Sequence, residues 1–150
     1  MTLLPVSHHP QQYQSDCLAA CAAMVLAYFR VTTSYSSLIR ILAIDEIGAP
    51  FRNLRNLQPL GLEVNVHTAD MAALSAHLEN GLPVIAAVDT AELGYWHEAT
   101  DHAIVVVGID GEFVYVNDPE LRSGPKRVAR DEFELASLEK DYLCGILLLS

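Results

Sequence analysis

Residues 101–119, DHAIVVVGIDGEFVYVNDP, decide how this chain is read. Two β-branched runs, 103–107 and 113–116, flank Asp110-Gly111, a dipeptide that signals a hairpin. His102 opens the first run and Asp118 closes the second. Their relation depends on the turn. With a two-residue loop, Asp118 lies opposite Ala103 and the two side chains point to opposite faces. With a three-residue loop, 109–111, and a left-handed Gly111, Gly108 faces Glu112 and His102 stands directly across from Asp118. The second register is the one expected here, and it gives a cross-strand His–carboxylate pair about one hydrogen bond apart.

The pattern extends outward from the hairpin. Residues 84–89 and 142–149 are further strands, and 131–140 reads as a helix between them. Upstream, 17–30 (CLAACAAMVLAYFR) is apolar on every face, as a helix buried all round must be. Asp16 is its candidate N-cap. Short helices are expected near 36–44 and 51–57, and a strand at 62–67. A helix at 70–78 follows, capped by Asp70 and stopped by Gly81-Leu82-Pro83. Helices first and a mostly antiparallel sheet afterwards make an α+β plan. Residues 1–150 are expected to form one domain, with a helical lobe at about 1–80 packed on a sheet lobe at about 81–150. A cleft between the lobes is the expected place for a site.

Composition narrows the function classes. The 150 residues are 51% hydrophobic and carry 19 acidic against 9 basic side chains, a formal charge of −10. Such a surface repels phosphate backbones, and no Lys/Arg cluster interrupts it, so nucleic-acid binding is not expected. The longest apolar run, 17–29, is too short to span a bilayer. Residues 1–15 have neither a basic start nor an apolar core of the kind that marks a secretory signal, which favours the cytoplasm. The three cysteines, Cys17, Cys21 and Cys144, are odd in number and lack CxxC spacing, so they read as free thiols.

Cys17 heads the apolar helix, where the positive end of the macrodipole favours thiolate, the nucleophilic form. Cys21, one turn further in, reads as packing. A carboxylate such as Asp118 on one imidazole nitrogen would fix the tautomer of His102 and leave the other nitrogen to take the thiol proton. Asn117 alternates onto the other face. In the polar approach HPQQYQSDC, a glutamine amide folded back over the thiol could donate to an oxyanion. Gln11, Gln12 and Gln14 are equally eligible on this ground.

A cysteine heading a buried helix, then a histidine and an aspartate on paired strands far downstream, is the chain order of papain-like enzymes. QQYQSDCLAACAAMVLAYF, DHAIVVVGID and VYVNDP together resemble peptidase family C39, the peptidase domains fused to bacteriocin-exporting ABC transporters, and their stand-alone relatives. The resemblance spans nearly the whole chain. It implies a papain-like fold, with Cys17 as nucleophile, His102 as base, Asp118 as orienter and Gln11, six residues before the cysteine, as oxyanion donor. It implies no metal or organic cofactor. The best-known reaction of the family cuts a leader peptide after a Gly-Gly pair, so a precursor peptide is the expected partner, and an ABC transporter a further one. No Walker A pattern or transmembrane bundle is present, so a stand-alone relative or a single excised domain is expected.

Tyr95 and Trp96, in the loop leading to His102, are the candidates for lining a narrow substrate groove. Three rivals remain. Zinc held among His8, His9, His97, His102 and Cys17 lacks any ligand spacing to support it. A different thioester-forming amidase or acyltransferase would use the same side chains. A non-catalytic peptide-binding module would not need all four positions.

Overall fold

The computed structural model describes residues 1–149. Among the described residues seven strands form one sheet, and every pairing in it is antiparallel. In chain order they are β1 (Thr2–Leu3), β2 (Leu62–Thr68), β3 (Val84–Asp89), β4 (Asp101–Ile109), β5 (Phe113–Asn117), β6 (Lys126–Ala129) and β7 (Leu143–Leu149). Across the sheet the order is β2-β7-β3-β4-β5-β6, with β1 continuing the β3 edge of β4. Four α-helices accompany it: α1 (Cys17–Tyr28), α2 (Tyr35–Ile41), α3 (Met71–Glu79) and α4 (Arg130–Leu138). The short helix expected near 51–57 is a 3-10 helix, Phe51–Leu60, with Pro59 inside it. Proline lacks the N–H that an α-helical turn would use there.

Strand β4 explains the layering. It is flanked on both edges, and its residues from His102 to Ile109 are all buried. Ala103, Val105 and Val107 face the core built on α1 and α2, whereas Ile104, Val106 and Ile109 face the core built on α3 and α4. A continuous apolar run is what a strand covered on both faces requires. Helix α1 is the centre of the first core. Leu18, Met24, Val25 and Leu26 are all at most 4% exposed, and burying each contributes about 1.5–3 kcal/mol. Asp70 caps α3 by accepting the Ala73 N–H, and Gly81, at φ 78°, takes the left-handed conformation that ends it. Both features agree with expectation.

The hairpin between β4 and β5 departs from it. Gly108 pairs with Tyr115 and not with Glu112, and Gly111 is not among the positive-φ residues. Asp110 builds the turn instead: its Oδ1 accepts the N–H groups of Glu112 and Phe113, and its own N–H bonds to the Phe113 carbonyl. The side chain competes for the turn N–H groups that a glycine-based bulge would have left free. Alternation from this register alone would put His102 and Asp118 on opposite faces. A β-bulge restores the parity. Val106 pairs with Val116 but Gly108 with Tyr115, so Val107 is an extra residue on β4. Beyond it Val105 pairs with Asn117, and continuing that register sets His102 and Asp118 diagonally across on one face. The bulge sits where β1 crosses. A Cβ on Gly108 would meet the Thr2 carbonyl oxygen at 2.7 Å and Leu3 at 2.9 Å.

Candidate active site

Asp118 is fully buried, and its carboxylate is saturated with donors. Oδ1 accepts His102 Nε2 at 2.7 Å and the Glu120 N–H at 3.0 Å; Oδ2 accepts the Tyr95 hydroxyl at 2.6 Å and the Trp96 indole N–H at 2.9 Å. Burial by itself would raise the Asp118 pKa, but the bond to His102 and its charge, helped by Tyr95 and Trp96, hold it below the usual range. The His102 side chain is 4% exposed. Burial would lower its pKa; hydrogen bonds to Asp118 and to Cys17, with the charges on both, outweigh that and raise it to about 9. With Nε2 on Asp118, the ring leaves Nδ1 for the thiol.

Cys17 is the first residue of α1 and is half-buried, whereas Cys21 and Cys144 are buried. Burial pushes the Cys21 thiol well up and that of Cys144 to about 11. Cys17 and His102 share one small cavity of about 260 Å³, floored by Leu18, Phe51 and Ala103, with the Lys140–Asp101 ion pair (2.9 Å) beside them. Asp16 occupies the N-cap position, yet its side chain caps nothing. It turns backwards, accepting the Tyr13 N–H at 2.7 Å, the Gln12 N–H at 3.2 Å and the Tyr35 hydroxyl at 2.5 Å. The expected N-cap is thus corrected: the first N–H groups of α1, which have no intrahelical acceptor, are left for another partner.

The approach segment is folded by these bonds. The Gln11 backbone N–H bonds to Pro119 O at 2.8 Å, beside Asp118, and its side-chain Nε2 donates to Tyr13 O at 2.9 Å. One amide N–H is spent there and the second remains. Gln11, Gln14, Tyr95, Trp96 and His102 border a cleft of about 520 Å³, whereas Gln12 lines a separate groove against Tyr35. Asn117 is buried on the far side, donating to Val6 O at 3.0 Å.

Tyr95 and Trp96 border the cleft, but their polar atoms both turn to Asp118, and the indole lies edge-on to the His102 ring with centroids 4.7 Å apart. Their loop is tied at its ends by the buried Thr90. Thr90 Oγ1 donates to Glu98 O and accepts the Thr100 N–H, while its own N–H bonds to Thr100 O. Glu132 of α4 accepts the Gly94 N–H at 3.1 Å. A Cβ at Gly94 would stand 2.8 Å from that carboxylate.

A model of the peptidase C39 family matches residues 6–136. The chain belongs to that family. No curated protein matches. Among solved structures, a double-glycine-motif protease from an AMS/PCAT transporter, in complex with its leader peptide, superposes with TM-score 0.80 at 21% identity, covering 99% of this chain and 95% of that one. The peptidase domain of Streptococcus ComA, a bi-functional ABC transporter of a quorum-sensing pathway, gives 0.80 at 20% identity, covering 97% and 99%. A C39-like peptidase from Bacillus anthracis gives 0.81 at 17%, covering 99% and 98%. At these identities the likeness is one of fold, the papain-like α+β fold of C39 domains. Family membership supports a peptidase. Among the described residues no helix is long and apolar enough to cross a membrane.

Within this C39 domain, several side chains around the site carried no signal in the sequence. Tyr35 reaches Asp16 from another helix, and Glu132 and Thr90 fix the Tyr95–Trp96 loop from outside it. Asp16, adjacent to Cys17, could have been flagged only as a cap. Its partners come from folding of the approach segment, which periodicity does not describe.

Proposed function

We propose that this chain is a cysteine peptidase in which Cys17 attacks a peptide carbonyl, His102 handles the proton, Asp118 orients His102, and Gln11 stabilises the oxyanion. The observation that carries the reading is the buried 2.7 Å bond between His102 Nε2 and Asp118 Oδ1, with Cys17 beside the same ring at the open start of α1. The imidazole takes the thiol proton at Nδ1, and the Cys17 thiolate adds to the carbonyl carbon. Negative charge moves to the carbonyl oxygen, where the free Gln11 amide N–H and the Cys17 backbone N–H receive it. His102 then gives its proton to the leaving amine, the C–N bond breaks, and water activated by the same ring hydrolyses the thioester.

The substrate in this reading is a precursor peptide cut after a Gly-Gly pair. Support comes from the family and from the double-glycine protease that shares the fold. A cytoplasmic place of action, next to an ABC exporter, is part of the same proposal; the fold shared with the ComA peptidase domain and the three free thiols support it.

Mass spectrometry after treatment with a peptide chloromethylketone ending in Gly-Gly tests it. One adduct, absent from Cys17→Ala and sparing Cys21 and Cys144, is expected. Labelling of Cys17 by iodoacetamide but not by the Gly-Gly reagent would keep the nucleophile and discard the leader specificity. Equal, slow alkylation of all three cysteines would remove the enzyme reading.

A further inference from the structure

Four donors converge on Asp118, and only one of them is the histidine it would orient. His102 Nε2 and the Glu120 N–H are on Oδ1; the Tyr95 hydroxyl and the Trp96 indole N–H are both on Oδ2. A carboxylate held through one oxygen can still rotate about its last torsion. Donors on both oxygens stop that rotation. Tyr95 and Trp96 are neutral, so they stabilise the anion without introducing a cation that would compete with an imidazolium. The indole does a second thing: its edge-on contact with His102, at 4.7 Å, limits tilting of the ring. Packing alone does not explain this arrangement, since phenylalanines would fill the same space without aiming two polar atoms at one oxygen.

The segment that carries the pair is itself braced. Thr90 ties residues 98 and 100 back to the end of β3, and Glu132 holds the Gly94 N–H. Lys126 lies 5.3 Å over the Tyr95 ring. Two half-buried aromatic side chains next to a cleft are therefore held for the carboxylate behind them.

We infer that Tyr95 and Trp96 are positioning residues of the reaction, clamping the outer oxygen of Asp118 so that its inner oxygen keeps His102 aimed at Cys17. The inference rests on the cysteine-peptidase reading of this site and replaces a substrate groove as the main role of both side chains. It makes a kinetic distinction. A groove residue changes KM, whereas a positioning residue changes kcat.

Tyr95→Phe and Trp96→Phe, assayed on a Gly-Gly leader peptide, test it. Removing a hydrogen bond to a charged group lowers kcat about tenfold, with KM within about twofold, in either variant. Either variant decides the kinetics alone, should the other fail to fold. A second readout is independent of turnover. Trp96 is the single tryptophan, so one indole N–H signal in the ¹H–¹⁵N spectrum reports the clamp and follows the titration of His102. In Tyr95→Phe, more negative charge stays on Asp118 and the pH midpoint of that signal moves up. Unchanged kcat with a raised KM, or an unmoved midpoint, overturns the clamp while wild-type turnover leaves the peptidase reading standing. If the wild type neither turns over peptide nor alkylates at Cys17 faster than at Cys21 and Cys144, both fall together.

Discussion

Two carboxylates are buried at this site, and they are employed differently. Asp16 is 1% exposed and Asp118 fully buried. Each accepts several short hydrogen bonds. Asp16 receives only neutral donors, two backbone N–H groups of its own approach segment and the Tyr35 hydroxyl. Asp118 receives a histidine as well, and that partner can carry charge. The same side chain thus acts as a clip for a loop in one place and as a counter-charge in the other. Position and burial do not distinguish them; a partner that can carry positive charge does.

Replacing each carboxylate sharpens the contrast. Asp118→Asn keeps the shape but removes the charge facing His102, and kcat is expected to fall about 10³- to 10⁴-fold, as for a triad whose tautomer is no longer held. Steady-state kinetics on a leader peptide checks this. Asp16→Asn leaves one oxygen for three donors. Loss of about 1–3 kcal/mol of stability is expected, read by urea unfolding, with a far smaller loss of kcat. If Asp16→Asn instead matched Asp118→Asn in kcat, the division between clip and counter-charge would be wrong.

The pH dependence of stability should separate them next. The folded pKa of His102 is raised from 6.5 to about 9, so its contribution is fully present below 6.5 and is lost as pH rises through about 9. The folded pKa of Asp118 is lowered from 3.8, so its contribution is present above 3.8 and is lost as pH falls through the folded value. The pair therefore stabilises most between 3.8 and 6.5. The difference in Tm between wild type and Asp118→Asn, followed across pH, should be widest in that window and should shrink towards pH 9. A difference that stays flat with pH would make Asp118 a second Asp16.

The smallest effect concerns the backbone that lets Asp118 and His102 meet. Gly108→Ala pushes a methyl group against Thr2 and Leu3 of β1. About 1–3 kcal/mol of destabilisation is expected from such overpacking, measured by thermal unfolding, with kcat close to wild type if β1 yields and the bulge at Val107 survives. A large loss of kcat would show that the bulge moves with β1.

Much of this architecture was legible in particular residues. The apolar run headed by Cys17, the cap at Asp70 and the left-handed stop at Gly81 are local signals, and they correspond to α1 and α3 as found. His102 and Asp118 are legible as a pair, but a three-residue turn is not what brings them together: Asp110 takes the turn and a bulge restores the parity. Strands β1 and β6 carry no periodic signal. Thr2–Leu3 is too short to show a period, and Lys126–Ala129 buries only Val128. Tyr95 and Trp96 were legible as residues near the site, while their donation to Asp118 was not.

The sequence by itself determined the fold class and which side chains are candidates for the chemistry, because periodicity, capping and residue chemistry act over a few neighbours. Tertiary structure alone decided the face on which His102 meets Asp118, the direction in which Asp16 turns and the oxygen that Tyr95 and Trp96 hold. Each of those depends on donors and acceptors brought together from distant segments, where a one-residue bulge or a competing side chain changes the outcome without altering the local pattern.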